Sequence, residues 1–197
     1  MIRWAVTGPT GAGKSLLTAR LADRGAAVID GDALGHEILG RDEIQDAIAQ
    51  EFGPEFLVEG GVDRRALGAL VFADHGAMAR LNALTHGPLS SLAAERLDAL
   101  EAAGNHGLAV FEAAVYFLLP SPPRTDLVIT VTADPAVRVA RLVEAKGLTH
   151  EAASARVAFQ SFMEEGWNGA DLVFDNGGDR AALETFAAEL WSRLSSG

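Results

Sequence analysis

Eight residues near the start of the chain bring together three glycines, a lysine and a hydroxyl. The stretch GPTGAGKS, residues 8–15, satisfies the pattern G-x-x-x-x-G-K-[ST]. Four residues between the outer glycines let successive backbone N–H groups surround an anion, and Gly13 lets the chain approach a phosphate oxygen closely. Lys14 would then reach the β and γ phosphates of a nucleotide, and the Ser15 hydroxyl would coordinate Mg²⁺. The stretch therefore predicts a site for a nucleoside triphosphate; the alternative is a flexible glycine turn with a solvated lysine.

Two carboxylates follow shortly afterwards, in the stretch VIDGD of residues 28–32. A kinase that acts on a small molecule needs a group that orients the acceptor hydroxyl and takes its proton as the new bond forms. We expect Asp32 to have this role, and Asp30 to position Asp32 or to reach the metal through water. The alternative is that both are turn carboxylates, with Asp32 capping a helix over 33–39.

The elements that would position these residues alternate between strands and helices. Short apolar runs predict strands at 2–7, 27–30, 108–113, 126–133 and 172–175. Helical spacing predicts helices at 14–23, 33–39, 135–146, 149–160 and 179–195. This alternation predicts an α/β fold with a parallel sheet covered on both faces, which binds ligands at the carboxyl ends of its strands. Gly8, Asp30 and Glu112 lie at those ends; Glu112 would reach Mg²⁺ through water, or it would be a capping or solvated carboxylate.

A long helical stretch separates the second predicted strand from the third. Helical patterns occur at about 42–52, 63–72, 77–85 and 89–103. The breaks between them include the turn-like EGG of 59–61 and the pair Gly87-Pro88. We interpret this stretch as an inserted helical region, at about 60–105, within a single domain that covers residues 1–197.

The composition limits the classes of protein and of partner. Hydrophobic residues make up 49% of the 197 residues and charged residues 22%, which is enough for a substantial core. The absence of cysteine excludes disulfides and thiolate metal sites. A formal net charge of −11 argues against a duplex nucleic-acid partner. Residues 113–119 form the longest apolar stretch, far short of the ~18 that span a bilayer, so we expect a cytoplasmic protein with no membrane partner.

The order and spacing of several motifs resemble the dephospho-coenzyme A kinase family over nearly the whole chain. These motifs are the glycine loop, VIDGDALGHEIL, FGPEFL, VDRRALGALVFAD, RLNALTH, RLVEAKGLTHEAASARVAFQ and ADLVFDNGG. The resemblance implies a five-stranded parallel P-loop kinase core with inserted coenzyme-binding helices and a helical lid at about 141–170. It also implies transfer of the ATP γ-phosphate, with Mg²⁺, to the 3′-hydroxyl of dephospho-coenzyme A, which is the last step of coenzyme A biosynthesis.

The resemblance also implies roles for particular residues. The catalytic residues would be Asp32, Lys14 and Arg141, and Arg141 with Arg156 would neutralise charge on the phosphoryl group in transfer. The residues expected to bind the acceptor are Asp32, Arg64, His86, Glu112 and Arg156. The residues expected to bind ATP, including a loop near the adenine, are Gly8, Gly11, Ala12, Gly13, Lys14, Ser15, Leu16, Arg141, Asn176 and Gly178.

The sequence departs from the family pattern at several positions. Leu16 stands where the family has threonine, and Ala145 and Gly166 replace basic residues that are expected in the lid. Ala114 and Leu118 differ from the pattern near the acceptor site. These changes leave two alternatives open: an ATP-binding homologue with weak or no activity, and a related kinase with a different small acceptor.

Two large side chains near the lid have structural interpretations. We expect Arg138 to face solvent, one helical turn before Arg141. Trp167 lies in the expected lid tip, where it would either pack under a loop or stack on a base.

Overall fold

The structure, a computed structural model, describes residues 1–178 and 180–194, without the side chains of residues 162, 164, 165 and 180. The strands of the described residues are β1 (Ile2–Thr7), β2 (Ala27–Asp30), β3 (Leu57–Val58), β4 (Gly61–Val62), β5 (Leu108–Glu112), β6 (Leu127–Thr132) and β7 (Leu172–Asp175). Their helices are α1 (Lys14–Ala22), α2 (Gly31–Leu39), α3 (Asp42–Phe52), α4 (Arg64–Val71), α5 (His75–Ala103), α6 (Pro135–Lys146), α7 (His150–Phe159), α8 (Glu164–Trp167) and α9 (Arg180–Leu194). Short 3-10 turns lie at Pro54–Phe56, Tyr116–Leu118 and Gln160–Met163.

Five of these strands form one parallel sheet in the order β2-β5-β1-β6-β7, which confirms the predicted five-stranded core. The strands are apolar because helices cover both faces of the sheet. In the register of the sheet, Asp30 at the end of β2 lies beside Glu112 at the end of β5. Both carboxylates therefore leave the sheet at the edge where β1 ends at Thr7 and the glycine loop begins.

Two apolar clusters, one on each face of the sheet, fix the helices around this edge. Successive residues of a strand point to opposite faces, so Val110 and Phe111 of β5 belong to different clusters. Val110 packs with Leu17 of α1 and Leu183 of α9. Phe111 packs in the cluster that includes Leu92 of α5 and residues of α2. The start of α1 and the start of α2 are thereby held at the same edge of the sheet.

Helix α5 differs from the predicted elements. The pair Gly87-Pro88 predicts a break between two helices, and this prediction is wrong, because one 29-residue helix runs through Pro88. Proline removes the N–H that would bond the carbonyl group of Leu84. The helix continues because Leu89 and Leu92, just beyond the proline, are buried in the core, and tertiary packing supplies most of the stability of a helix in a protein.

Helices α6 and α7 pair with each other and form a small core of their own. This core consists of Val139, Leu142, Ala153 and Val157. The side chain of Asp134 caps α6, and the side chain of Thr149 caps α7. Helices α6, α7 and α8, with the 3-10 turn between α7 and α8, cover most of the range predicted as a lid. The division of the chain into core, insert and lid stays a prediction.

The remaining elements follow the sequence prediction with small differences. The turn predicted at 59–61 joins β3 to β4, two antiparallel strands of two residues each that the sequence did not predict. The helix predicted at 179–195 is α9, and residues 179 and 195 lie outside the described residues. None of the described helices combines the length and the apolar character needed to cross a membrane.

Candidate active site

The glycine loop, residues 8–15, follows β1 and leads directly into α1. Gly8, Gly11 and Gly13 have φ angles of 128°, 76° and 103°, in the region that favours glycine. Close packing also requires glycine here, because a Cβ on Gly8 would lie 2.1 Å from the Val131 carbonyl oxygen. The loop therefore turns tightly against its neighbours and presents the N-terminus of α1, whose backbone N–H groups favour an anion.

The Lys14 side chain lies across the loop. Its ammonium group donates a hydrogen bond to the Pro9 carbonyl oxygen, 3.1 Å away. Burial lowers the pKa of Lys14, and the nearby carboxylates of Glu112 and Asp32 oppose this shift. A phosphate group bound at the loop would compensate the ammonium group for its lost solvation.

A hydroxyl and a carboxylate meet beside the loop. The Ser15 hydroxyl donates a hydrogen bond to Oε1 of Glu112 at 2.7 Å, and the Thr18 hydroxyl donates one to Oε2 of Glu112, also at 2.7 Å. Mg²⁺ prefers oxygen ligands, and nucleotide sites usually supply one or two from the protein and the rest from phosphates and water. Ser15 and Glu112 fit that donor set. The described residues contain no group of three or more histidine or acidic side chains that could hold a metal ion.

The two acidic residues where β2 meets α2 have different positions. Asp30 is the N-cap of α2: its Oδ1 accepts hydrogen bonds from the backbone N–H groups of Asp32 and Ala33, at 2.8 and 3.2 Å. The alternative in which Asp32 caps this helix is therefore wrong, because the helix begins two residues earlier than predicted. The exposed Asp32 side chain lies in the first turn of α2 and lines the cleft described next.

These groups line one cleft of about 530 Å³ at the carboxyl edge of the sheet. The predicted site residues that line it are Gly11, Gly13, Lys14, Ser15, Leu16, Asp30, Asp32, Glu112, Arg141 and Arg156. Residues that the sequence did not predict also line it, notably Phe72, Met78, Asn82, Lys146, Phe159 and Gln160. The predicted residues outside this lining are Gly8, Ala12, Arg64, His86, Asn176 and Gly178.

Arg141 connects α6 to the glycine loop. Its guanidinium group donates to the carbonyl oxygens of Gly11 and Ala12, at 3.4 and 3.3 Å, and to that of Asn176, at 2.8 Å. This arginine therefore supports the back of the loop while it lines the cleft. Its contact with a transferred phosphoryl group stays a prediction.

Asn176 is buried behind the same loop. Its side-chain Nδ2 donates to the Ala12 carbonyl oxygen at 2.7 Å, and its backbone N–H donates to the Thr132 carbonyl oxygen, also at 2.7 Å. Gly178 is exposed two residues later. Asn176 thus fixes the shape of the loop from outside the cleft, and the proximity of this segment to an adenine stays a prediction.

Lys146 adds a cation that the sequence prediction did not include. Lys146 lines the cleft together with Lys14. Burial is the main cause of the lowered pKa of Lys14, and the positive charge of Lys146 lowers this pKa further, so the two ammonium groups face the same space. The signal in the sequence was its position, because Lys146 directly follows Ala145, where the family pattern predicts a basic residue.

An aromatic cluster joins α7 to the start of α5 across the cleft. The Phe159 ring lies 5.7 Å from the Phe72 ring, edge to face, and stacks on His75 at 4.2 Å. The guanidinium carbon of Arg156 lies 5.4 Å from the centre of the Phe72 ring. The sequence predicted only Arg156 in this cluster, because the other side chains look like ordinary core residues until the fold brings the helices together.

One hydrogen bond joins the turn after α7 to the glycine loop. Oε1 of Gln160 accepts from the backbone N–H of Thr10 at 2.8 Å. This contact links the region predicted as the lid to the region predicted to hold phosphate, and the sequence motifs gave no specific signal for it.

Arg64 and His86, both expected to bind the coenzyme, lie outside the cleft lining. Arg64 is exposed at the start of α4. His86 is buried, and its Nδ1 lies 3.1 Å from the Leu118 carbonyl oxygen; the ring nitrogen is the donor because a carbonyl only accepts. Burial lowers the pKa of His86, and the bond to Leu118 opposes the shift. Since Leu118 lines the cleft, His86 supports the wall of the cleft indirectly, and direct contact with a coenzyme stays a prediction.

The structure decides the two interpretations of large side chains near the lid. Arg138 is 3% exposed, so the prediction that it faces solvent is wrong. The reason is that α6 packs directly on the glycine loop, where a Cβ on Gly11 would lie 2.8 Å from the Arg138 carbonyl oxygen. Trp167 packs under a loop: it is 3% exposed and its Nε1 donates to the Ala114 carbonyl oxygen at 3.2 Å.

The parallel sheet, the glycine loop with Lys14 and Ser15, and the cleft above them define a P-loop kinase. The model of the family described as dephospho-CoA kinase matches residues 3–181 of the chain. The chain belongs to the dephospho-CoA kinase family.

Individual relatives agree with this assignment. The chain is 34% identical over 198 residues to a dephospho-CoA kinase of Thermobifida fusca, an alignment that covers 98% of this chain and 96% of the relative. It is 38% identical over 195 residues to one of Anaeromyxobacter dehalogenans, covering 98% and 92%. The crystal structure of TT1252 from Thermus thermophilus superposes with a TM-score of 0.76 at 32% identity, covering 98% and 97%.

Proposed function

We propose that this chain transfers the γ-phosphoryl group of ATP to the 3′-hydroxyl of dephospho-CoA, which produces coenzyme A and ADP. Family membership over nearly the whole chain supports this acceptor. The observation that carries the reaction is the convergence of Lys14, Ser15 and Asp32 on one cleft. A cavity of about 530 Å³ also has the size of a small-molecule site.

The phosphate side of the cleft would hold ATP. Backbone N–H groups of the glycine loop and of the first turn of α1 bind the phosphate oxygens, and Lys14 turns from the Pro9 carbonyl to the β and γ phosphates. Ser15 would hold Mg²⁺ directly and Glu112 would hold it through water. When bound, Mg²⁺ neutralises negative charge on the β and γ phosphate oxygens.

The opposite side of the cleft would hold the acceptor. Asp32 accepts the proton of the 3′-hydroxyl as the hydroxyl oxygen bonds to the γ-phosphorus. The bond from that phosphorus to the β-phosphate oxygen breaks, and ADP leaves. The cap that Asp30 makes keeps Asp32 on the first turn of α2, while Phe72 and Met78 offer apolar surface to the acceptor.

The cations of the cleft favour an active enzyme over a binding protein without turnover. Arg141, Lys146 and Arg156 line the cleft although Ala145 and Gly166 lack the basic groups of the family pattern. Positive groups around the transferred phosphoryl group stabilise its transition state. Lys146, next to Ala145, would supply the charge that Ala145 lacks.

The proposal is tested by measuring ADP release with dephospho-CoA against a panel of nucleosides and nucleotides as acceptors. We expect turnover with dephospho-CoA and a product that carries a new 3′-phosphate. Turnover only with another member of the panel would identify a different acceptor, and ATP binding without turnover would identify a non-catalytic homologue. Either result would contradict the proposal.

The role of Asp32 has its own test. Asp32→Asn removes the proton acceptor but keeps the size of the side chain, so we expect kcat to fall by about 10²–10⁴-fold with ATP affinity nearly unchanged. Asp46→Asn, at an exposed position of α3 outside the cleft lining, is the matched control and should keep full activity. Full activity of Asp32→Asn would show that the base is another group.

A further inference from the structure

A buried hydroxyl on α1 holds the carboxylate that faces the glycine loop. Thr18 is 3% exposed, and its Oγ1 lies 2.7 Å from Oε2 of Glu112. Ser15, one helical turn earlier, lies 2.7 Å from Oε1 of the same carboxylate. Two hydroxyls on one face of a helix therefore bind the two oxygens of one carboxylate, at the end of a neighbouring strand.

The hydrogen-bond partner of Thr18 is informative, because a second acceptor lies near its hydroxyl. Its Oγ1 also lies 3.3 Å from the Ser15 carbonyl oxygen, the partner that a threonine inside a helix commonly uses. A hydroxyl has one proton to donate, and the distance of 2.7 Å to Glu112 is the better hydrogen bond. The Ser15 carbonyl oxygen of the same helix could have accepted this hydrogen bond. The hydroxyl bonds to Glu112 instead, and this bond restricts the position of the carboxylate.

We propose that Thr18 is a positioning residue for the divalent cation of the phosphoryl transfer. By holding Oε2, Thr18 fixes the plane of the Glu112 carboxylate and directs Oε1 to Ser15 and to the water shell of the metal. This inference rests on the proposed function for its metal site. Groups behind the metal ligands commonly set metal affinity in this way, and their loss costs about 10–100-fold.

The test measures metal binding without the acceptor. Mn²⁺ serves as the probe in the presence of ADP, and its dissociation constant is measured by electron paramagnetic resonance for wild type, Thr18→Val and Thr18→Ser. Valine has the shape of threonine without the hydroxyl, so we expect Thr18→Val to bind Mn²⁺ about 10-fold more weakly or worse. Thr18→Ser keeps the hydroxyl and should stay within about 3-fold of wild type, and ADP affinity in EDTA should be the same for all three proteins.

A matched control separates positioning from packing. Thr130 is also fully buried, and its hydroxyl donates to the Trp167 carbonyl oxygen at 2.7 Å, away from Glu112. Thr130→Val should bind Mn²⁺ as wild type does. If Thr18→Val does not fold, Thr18→Ala takes its place in the comparison.

Three results would overturn the inference: wild-type Mn²⁺ affinity in Thr18→Val, a serine variant as weak as the valine variant, or an equal loss of ADP affinity in EDTA. Failure of wild type to bind Mn²⁺ in the presence of ADP would also overturn it, together with the metal site. Failure of dephospho-CoA as acceptor would contradict the proposed function alone, since no acceptor is present in this assay.

Discussion

The charged ammonium group of Lys14 is buried in the cleft, where it loses favourable solvation by water. Burial lowers its pKa from the ordinary value of 10.5, although Glu112 and Asp32 oppose the shift. A lysine whose pKa is lower in the folded protein destabilises the fold at every pH below that lowered pKa, and the penalty disappears above 10.5. The free protein therefore keeps an unfavourable charge that a bound phosphate would stabilise.

We expect Lys14→Met to raise the thermal midpoint at pH 7 and to abolish ATP binding. Methionine has a similar length and no charge to desolvate, and each kcal/mol gained raises the midpoint of a protein of this size by about 2–4 °C. The gain should shrink as the pH rises towards 10.5, because wild-type Lys14 then loses its proton. Scanning calorimetry at pH 7 and at alkaline pH measures this; a midpoint at or below wild type at pH 7 would contradict the explanation.

At the residue scale, the sequence predicted contiguous groups and missed distant contacts. The glycine loop is continuous in the chain, so its pattern with a strand before it and a helix after it was enough. The bond from Thr18 to Glu112 joins residues 94 positions apart, and that from Arg141 to Ala12 joins residues 129 apart. Such contacts depend on strand register and helix packing, which hydrophobic periodicity does not specify.

At the scale of elements, His86 joins α5 to the turn at Tyr116–Leu118, of which Leu118 lines the cleft. Burial lowers the pKa of His86 below its ordinary 6.5, and the hydrogen bond to the Leu118 carbonyl opposes the shift in part. The folded protein therefore favours the neutral ring. Below pH 6.5 the unfolded chain binds this proton more readily than the folded protein does. The free energy of unfolding therefore decreases as the pH falls from 6.5 towards the lowered pKa of His86.

We expect His86→Asn to lose less stability than wild type between pH 7 and pH 5. The asparagine amide can still donate to the Leu118 carbonyl but does not titrate. His86→Leu, in contrast, leaves that carbonyl without its donor and should cost about 1–3 kcal/mol at pH 7. Urea denaturation at the two pH values measures the free energies of unfolding, and equal acid losses in wild type and His86→Asn would exclude this histidine as the cause.

The errors among the predicted elements have physical causes. Strands β3 and β4 have two residues each, too few to show a period, so only the turn between them was predicted. Pro88 predicts a break because proline has no backbone N–H to bond within a helix. Burial of residues on both sides of it nevertheless keeps α5 continuous. Arg138 was placed in solvent because the packing of α6 on the glycine loop depends on the tertiary fold.

The whole molecule carries a net charge of −11, yet four cations line its cleft among the residues that the structure describes. These cations are Lys14, Arg141, Lys146 and Arg156. At physiological salt, charges more than about 8 Å apart are largely screened. A nucleotide in the cleft would therefore experience mainly the charges that line it, which are these cations and the carboxylates of Asp30, Asp32 and Glu112, while the acidic surface elsewhere has little effect on its binding.

Helix α7 is less firmly joined to the rest of the molecule than the elements of the sheet, whereas α6 packs on the glycine loop and bonds to it through Arg141. The small core that α7 shares with α6 is separate from the two clusters that cover the sheet. The contacts described above that join α7 and the turn after it to the body are few: Phe159 contacts the rings of Phe72 and His75, Arg156 lies over Phe72, and Gln160 bonds to Thr10. Regions with few buried contacts open locally before the whole protein unfolds.

We therefore expect the amide hydrogens of α7 to exchange at least ~10-fold faster than those of β5, a difference of about 1.4 kcal/mol in opening free energy. Gln160→Leu removes the bond to Thr10 and should speed exchange in α7 while β5 is unchanged, because residues 108–111 of β5 lie in the central clusters. ATP with Mg²⁺ and dephospho-CoA should slow exchange in α7 if this pair of helices closes over bound substrates. Hydrogen exchange measured by mass spectrometry tests each step, and equal rates in α7 and β5 would show that the two open together as one cooperative unit.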